Sequence, residues 1–153
     1  MKNRELYNAR RNLDRRLAPL KPEERFKVPP KGWSKAIRTA LGMTGVQFAK
    51  RLGVSPQTAD ALERSEANGK IQLETLRRAA EALDCNLVYA LVPKKSLEQS
   101  VNDHARKLAL SNLARVSHTM KLEAQETDSS GLEERIEDYI RNYITERDLW
   151  NLP

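Results

Sequence analysis

Apolar residues recur every three or four positions along most of this chain, which is the spacing of amphipathic helices. The first such run ends among prolines at positions 19 and 22 and comprises Leu6, Ala9, Leu13, Leu17 and Leu20. After a linker that contains Pro29 and Pro30, the spacing returns and predicts a helix over residues 35–41. The pattern therefore predicts a mainly α-helical chain.

Two short helices are predicted to meet at a tight turn in the middle of the chain. Thr44 and Gln47 have the spacing of a capping box, in which each side chain binds the other residue's backbone N–H. Gly53 supplies the positive φ with which a helix ends sharply. Ser55 then caps a second helix whose first turn holds Pro56. Two helices crossing at such a turn are used mostly to lay one helix against DNA.

Each of these two helices has a buried face and an exposed face. The spacing predicts a core formed by Phe48, Ala49, Leu52, Ala59 and Leu62. The exposed face of the second helix then carries Gln57, Thr58, Asp60, Ala61 and Arg64. Glutamine and threonine suit the edges of bases, and arginine suits a phosphate or a guanine. These side chains predict a DNA-binding surface.

Residues 33–83 resemble the XRE, or Cro/repressor-type, helix-turn-helix domain. The resemblance rests on the spacing and identity of Ala49, Gly53, Val54, Ser55, Leu62 and Glu63. It implies five helices, of which the third is the recognition helix. It also implies an ion pair between Arg38 and Glu63 that has a structural role and does not contact DNA.

The same resemblance implies contacts with the DNA backbone. The expected contact residues are Thr44, Ser55, Asn68 and Lys70, and Lys31 and Lys35 are candidates for an N-terminal arm. The chain departs from the family pattern where Gly45, Pro56 and Ala61 replace larger polar residues. Because few side chains then reach the bases, part of the sequence selectivity is expected to come from DNA shape.

A longer resemblance covers most of the chain. The stretches PPKGWSKAIRTALGMTG, LETLRRAAEALDCNLVYALVPK and LARVSHTMKLEAQ resemble the mobile mystery protein A family, in that family's order. Its members are XRE-type regulators of mobile elements, typically encoded beside a Fic-domain protein. The resemblance implies a transcriptional repressor that regulates its own operon. The alternative is an antitoxin-like interaction protein that binds and restrains a Fic-domain enzyme.

A short β-strand is predicted over residues 86–92, where Leu87, Tyr89 and Leu91 alternate with other apolar residues. No second strand-like run occurs in the sequence, and an unpaired apolar edge would promote aggregation. We therefore predict a homodimer in which the strand pairs with its copy, and a pseudo-palindromic operator. The stripe of Leu97 and Val101 on the next helix fits either that dimer interface or packing on its own chain.

Charge is distributed unevenly along the 153 residues. Residues 1–53 hold 14 Lys and Arg against 4 Asp and Glu, residues 54–95 hold 6 of each, and residues 96–153 hold 7 against 11. A basic front and an acidic tail fit a polyanion at one end and a different partner at the other. Ordinary solvation of surface helices is the alternative.

Candidate residues for catalysis or metal binding are few. The chain has one cysteine, Cys85, and two histidines, so it predicts no disulfide and no metal-ligand cluster. It also lacks a nucleophile–base constellation and a glycine-rich phosphate loop. We therefore predict no catalytic residue, no cofactor and no enzymatic activity. The absence of an apolar run of about 20 residues predicts a cytoplasmic protein without a membrane partner.

The predicted organisation has four parts. An N-terminal amphipathic helix and linker (1–31) precede the helix-turn-helix domain with its terminal strand (32–92), a long helix (93–126) and an acidic C-terminal helical segment (127–153). The last segment has an apolar stripe of Leu132, Ile136, Tyr139, Ile140 and Tyr143 beside acidic residues. This stripe fits a groove on a basic partner or the protein's own long helix.

Overall fold

The structure is a computed structural model, and it describes residues 2–120 and 129–151. These residues form seven α-helices: α1 (Lys2–Leu17), α2 (Trp33–Ala40), α3 (Gly45–Leu52), α4 (Pro56–Ala67), α5 (Leu73–Ala82), α6 (Leu97–Met120) and α7 (Ser129–Tyr143). The chain divides into two compact units. We name Pro22–Leu91 the central unit, and Met1–Lys21 with Val92–Pro153 the terminal unit. None of the helices within the described ranges is both long enough and apolar enough to span a bilayer.

The mainly helical class is confirmed, but the central unit contains four α-helices and not five. The last of them, α5, ends where Asp84 adopts a left-handed conformation with φ 56°. The N–H groups of Asp84 and Cys85 return to the carbonyls of Glu81 and Ala80, at 3.0 and 2.8 Å. These bonds close the helix, and the next helix, α6, belongs to the terminal unit.

The predicted strand at 86–92 is wrong for the single chain, because residues 85–93 have no regular secondary structure. A strand needs a neighbouring strand to bind its backbone groups, and no other described segment supplies one. Val88, Tyr89 and Leu91 are 83%, 65% and 87% exposed. The alternation of side chains was therefore not enough to form a strand, because the backbone of this segment has no partner strand among the described residues.

The core of the central unit follows the predicted inward positions. Phe48, Ala49 and Ala59 are buried in one cluster with Ala79 of α5 and with Leu83, which directly follows α5. The predicted core residues Leu52 and Leu62 are half-buried and pack against this cluster, as do Ile37, Met43 and Val54. Alanines at the centre let α3 and α4 approach closely, and these helices make extensive contact.

In the terminal unit, α1 packs on α6 through polar contacts. The Asp14 carboxylate accepts hydrogen bonds from the N–H groups of Leu97 and Glu98, at 2.8 and 3.4 Å, and so caps α6. Arg10 forms ion pairs with Glu98 and Glu146, at 2.7 and 3.2 Å. These bonds join segments that are distant in sequence.

Helix α6 also packs on α7. Ile136 of the C-terminal stripe is 1% exposed, and Ala105 and Ala109 of α6 are 6% and 0% exposed. Arg106 and Glu133 join the two helices by a bidentate ion pair. Of the two interpretations of the stripe, the structure favours packing on the protein's own long helix. The predicted boundary at 126/127 lies outside the described residues.

Candidate nucleic-acid interface

The turn between α3 and α4 is built from local hydrogen bonds. The Thr44 hydroxyl accepts the N–H of Gln47 at 3.2 Å, and the Gln47 side chain accepts the N–H of Thr44 at 2.8 Å. At the other end of α3, Gly53 has φ 70°, and Val54 donates its N–H to Ala49 at 3.0 Å. The predicted capping box and left-handed glycine are therefore confirmed.

The start of α4 is held by two hydroxyl groups. The Ser55 oxygen accepts the N–H of Thr58 at 3.1 Å, and the Ser55 and Thr58 oxygens lie 2.8 Å apart. Because only one proton lies between these two oxygens, the other hydroxyl keeps its proton for an external acceptor. Thus the cap that starts α4 also presents a hydrogen-bond donor at the helix surface.

An ion pair holds the middle of α4 against α2. The Arg38 guanidinium donates to both Glu63 oxygens, at 2.5 and 3.1 Å, and to the carbonyl of Met43 at 2.8 Å. Glu63 is 4% exposed, and its hydrogen bond raises the pKa of Arg38. The pair is directed into the fold, away from the exposed side of α4.

A second buried carboxylate on α4 was missed by the sequence reasoning. Glu66 is 6% exposed and accepts the N–H of Trp33 at 2.7 Å and that of Ser34 at 3.1 Å. A signal was present, since Glu66 continues the buried spacing of Ala59 and Glu63 along α4. A carboxylate on a buried stripe requires a partner inside the fold.

The predicted base-contacting residues share the exposed side of α4. Gln57, Thr58, Ala61 and Arg64 are all exposed. Arg64 pairs with Asp60 at 3.2 Å, and these side chains are 71% and 58% exposed. Asp60 therefore has a cationic neighbour, which offsets its repulsion of a phosphate.

Some of the residues predicted to bind DNA line a groove between α4 and α5. Thr58, Ala61 and Lys70 line it together with Thr75 and Arg78, which the sequence reasoning did not select. The predicted residues outside its lining are all exposed: Thr44 at the start of α3, Ser55 and Gln57 in the first turn of α4, and Arg64 and Asn68 near its end. Of the proposed arm residues, Lys31 is exposed and Lys35 is half-buried.

The residues predicted at the dimer interface lie in an apolar surface of the central unit. Leu87 is half-buried, whereas Tyr89 and Leu91 are exposed. Leu87 and Val88 line a shallow cavity with Phe26, Trp33, Ile37 and Cys85. This surface includes the side chains of Val88, Tyr89 and Leu91, which are 83%, 65% and 87% exposed.

Residues 35–89 match a protein-family model described as Helix-turn-helix. The match supports an XRE-type domain and, with the exposed polar face of α4, a DNA-binding regulator of the helix-turn-helix class. Comparisons with curated proteins and with solved structures gave no match. Within the described residues, no group of three or more His, Cys, Asp and Glu side chains is arranged to hold a metal ion.

Proposed function

We propose that this chain is a sequence-specific DNA-binding transcriptional repressor that places α4 in the major groove. The observation that carries the proposal is the exposed polar face of α4 on a helix fixed at both ends. Ser55 caps its start, Glu63 and Glu66 attach it to α2, and Gln57 and Thr58 stand on the open side. A rigid helix with short polar side chains is suited to reading base edges.

The proposed contacts divide by chemistry. Gln57 and Thr58 contact base edges, and Ala61 packs against a base or a thymine methyl group. Thr44, Ser55, Asn68 and Lys70 contact phosphates, which position the helix without reading sequence. We add Arg78, because it lines the groove with Lys70 beside α4. Arg64 acts together with Asp60, its ion-pair partner.

We further propose a twofold homodimer formed through the apolar surface around residues 87–91. The exposed Val88, Tyr89 and Leu91 side chains support it, since neighbouring exposed apolar side chains mark surfaces of protein–protein contact. A twofold dimer presents two recognition helices to one side of the duplex. The operator is then a pseudo-palindrome whose half-sites lie about 34–36 Å apart, or a small multiple of one turn.

The biological setting rests on the resemblance to the mobile mystery protein A family. It supports a repressor that regulates its own operon on a mobile element. Binding of a Fic-domain enzyme remains a prediction from that resemblance. The C-terminal stripe considered for it is engaged through Ile136 in packing on α6.

The test is a gel-shift titration of the full chain on an operator selected from random DNA. Gln57→Ala is expected to lower operator affinity by about 1–3 kcal/mol and to leave non-specific binding nearly unchanged. The matched control is Gln99→Ala, which removes the same exposed side chain from α6. Operator affinity that is equal for the wild type and the Gln57→Ala variant would contradict base reading by this helix.

A further inference from the structure

We infer that Glu66 is a positioning residue for the recognition helix. It touches no DNA in the proposed arrangement, yet it fixes the direction of α4, on which discrimination between DNA sequences depends. The inference rests on the proposed DNA-binding function and adds to it a residue on the side of α4 that faces the fold.

The first step is the contact itself. Glu66 accepts the N–H of Trp33 at 2.7 Å through one carboxylate oxygen and that of Ser34 at 3.1 Å through the other. The N-cap position of α2 is Gly32, which has no side chain with which to cap the helix. Glu66 therefore supplies the cap from 33 residues away, and its negative charge lies at the positive end of the α2 dipole.

The Glu66 carboxyl group lies where a side chain at position 32 would begin, and glycine leaves this space open. The φ of Gly32 is +83°, and a Cβ atom placed there would lie 2.9 Å from Cδ of Glu66 and 3.1 Å from Oε2. Contacts below 3.0 Å force a shift. A substitution at either Gly32 or Glu66 is therefore expected to disturb this contact.

The second step is that α4 is attached to α2 at two points. Glu63 binds Arg38 in the second half of α2, and Glu66, one helical turn further along α4, binds the first turn of α2. One attachment point fixes a distance, whereas two fix a direction. Without Glu66, the ion pair of Arg38 and Glu63 still holds α4 to α2, but a small tilt of α4 about that pair is no longer opposed by a second attachment.

The third step is the effect of such a tilt on base reading. Gln57 lies six residues from Glu63 on α4, which corresponds to about 9 Å along the helix axis. A tilt of about 6° about the Glu63 attachment then displaces Gln57 by about 1 Å, whereas a functional side chain must be placed within about 0.5 Å. Phosphate contacts by long cationic side chains tolerate such a shift better, because charge attraction falls off slowly with distance.

The experiment compares operator binding with non-specific DNA binding for the full chain at one salt concentration. The variants are Glu66→Ala, Glu66→Gln, which keeps one acceptor oxygen, and Glu66→Met, which keeps the length of the side chain in a buried site. The control is Glu81→Gln, which makes the same change of charge on the exposed surface of α5. Circular dichroism gives the folded fraction of each protein.

The positioning role predicts that Glu66→Ala and Glu66→Met lower operator affinity about tenfold or more, within the range of one lost base contact. Non-specific affinity is expected to change less than about twofold, and Glu66→Gln is expected to recover part of the operator affinity. Equal losses on both DNAs, in proportion to the unfolded fraction, would overturn the inference in favour of a purely structural role. Retained operator selectivity in Glu66→Met would overturn it as well.

Different results would contradict the proposed DNA-binding function and the positioning role of Glu66. A wild-type protein that does not distinguish its selected operator from other DNA overturns the proposed function and this inference with it. A selective wild type whose Glu66 variants remain selective overturns the inference alone. As a second measurement, Gly32→Ala should cost less stability in the Glu66→Ala background than in the wild type, because the steric clash is absent there.

Discussion

Three carboxylates on α4 have different tasks because their burial differs. Asp60 is exposed and pairs with Arg64, a contact that solvent weakens. Glu63 and Glu66 are buried, where a carboxylate without a partner would be costly, and both are fully engaged by α2. One side of α4 is therefore determined by the fold, and the other is free for a ligand.

Lys70 tests the proposed division between base and phosphate contacts. Lys70→Ala should weaken binding to all DNA alike and reduce the slope of log affinity against log salt by about 0.9. The measurement is affinity for operator and random duplex over a series of salt concentrations. Lys107→Ala, which removes an exposed lysine from α6, is the control. A loss confined to the operator would assign Lys70 to a base instead.

Asp84 tests the way in which α5 ends. It is the non-glycine residue with positive φ in the described chain, and it pairs with Arg51 at 2.8 Å on the exposed surface. Asp84→Gly and Asp84→Ala both remove that ion pair, but only Ala adds the Cβ penalty. The Gly variant should be more stable than the Ala variant by about 1 kcal/mol, measured by urea unfolding. Equal stabilities would show that the turn relaxes without cost.

At the scale of elements, α6 and α7 are joined by an apolar contact and a charged one. Ile136 of α7 and Ala105 and Ala109 of α6 are buried, and Arg106 binds Glu133 where both side chains are exposed. The hydrogen bond from Arg106 lowers the pKa of Glu133 below its ordinary 4.5. Such a carboxylate adds stability above that ordinary value, and the contribution is lost as pH falls through the lowered pKa.

The resulting prediction concerns the difference between the wild type and Glu133→Gln. The wild type should melt at a higher temperature near neutral pH, and the difference should shrink once the pH falls below about 4.5. Thermal melts at a series of pH values measure it, with Glu134→Gln as the control for loss of an exposed charge. A difference that stays constant down to strongly acidic pH would refute a role for the charged form of Glu133.

At the scale of the whole molecule, the charge asymmetry of the sequence is largely balanced by folding. The basic N-terminal helix and the acidic C-terminal region belong to the same terminal unit, which has 16 Lys and Arg against 13 Asp and Glu. Arg10 binds both Glu98 and Glu146 there. The central unit has 11 against 8, so its positive excess equals that of the terminal unit. Net charge alone therefore does not distinguish the two units, and the proposed DNA-binding role of the central unit rests on the exposed face of α4.

The proposed dimer also belongs to this scale. Leu91 is 87% exposed, so Leu91→Lys is nearly neutral in a single chain but places a charge in the proposed apolar interface. The variant should sediment as a monomer and lose affinity for a two-half-site operator while its affinity for one half-site is kept. Leu41→Lys, at a position that is 59% exposed on the same unit, is the control. A wild type that sediments as a monomer at micromolar concentration would contradict the dimer.

Sequence alone determined the features whose partners lie within about five residues along the chain. The capping box of Thr44 and Gln47, the left-handed turn at Gly53 and the cap by Ser55 follow from local geometry. The inward positions of Phe48 and Ala49 follow from helical spacing. These predictions succeeded because residues close in sequence are held near one another whatever the rest of the chain does.

The tertiary structure decided the features that depend on distant partners. Glu66 caps a helix that begins 33 residues earlier, and Asp14 caps one that begins 83 residues later. The spacing along α4 indicates that Glu66 is buried and needs a partner, but neither carboxylate has a local signature that identifies its partner. The predicted strand at 86–92 failed for the same reason: alternation describes side chains, whereas a strand exists only where another backbone binds it.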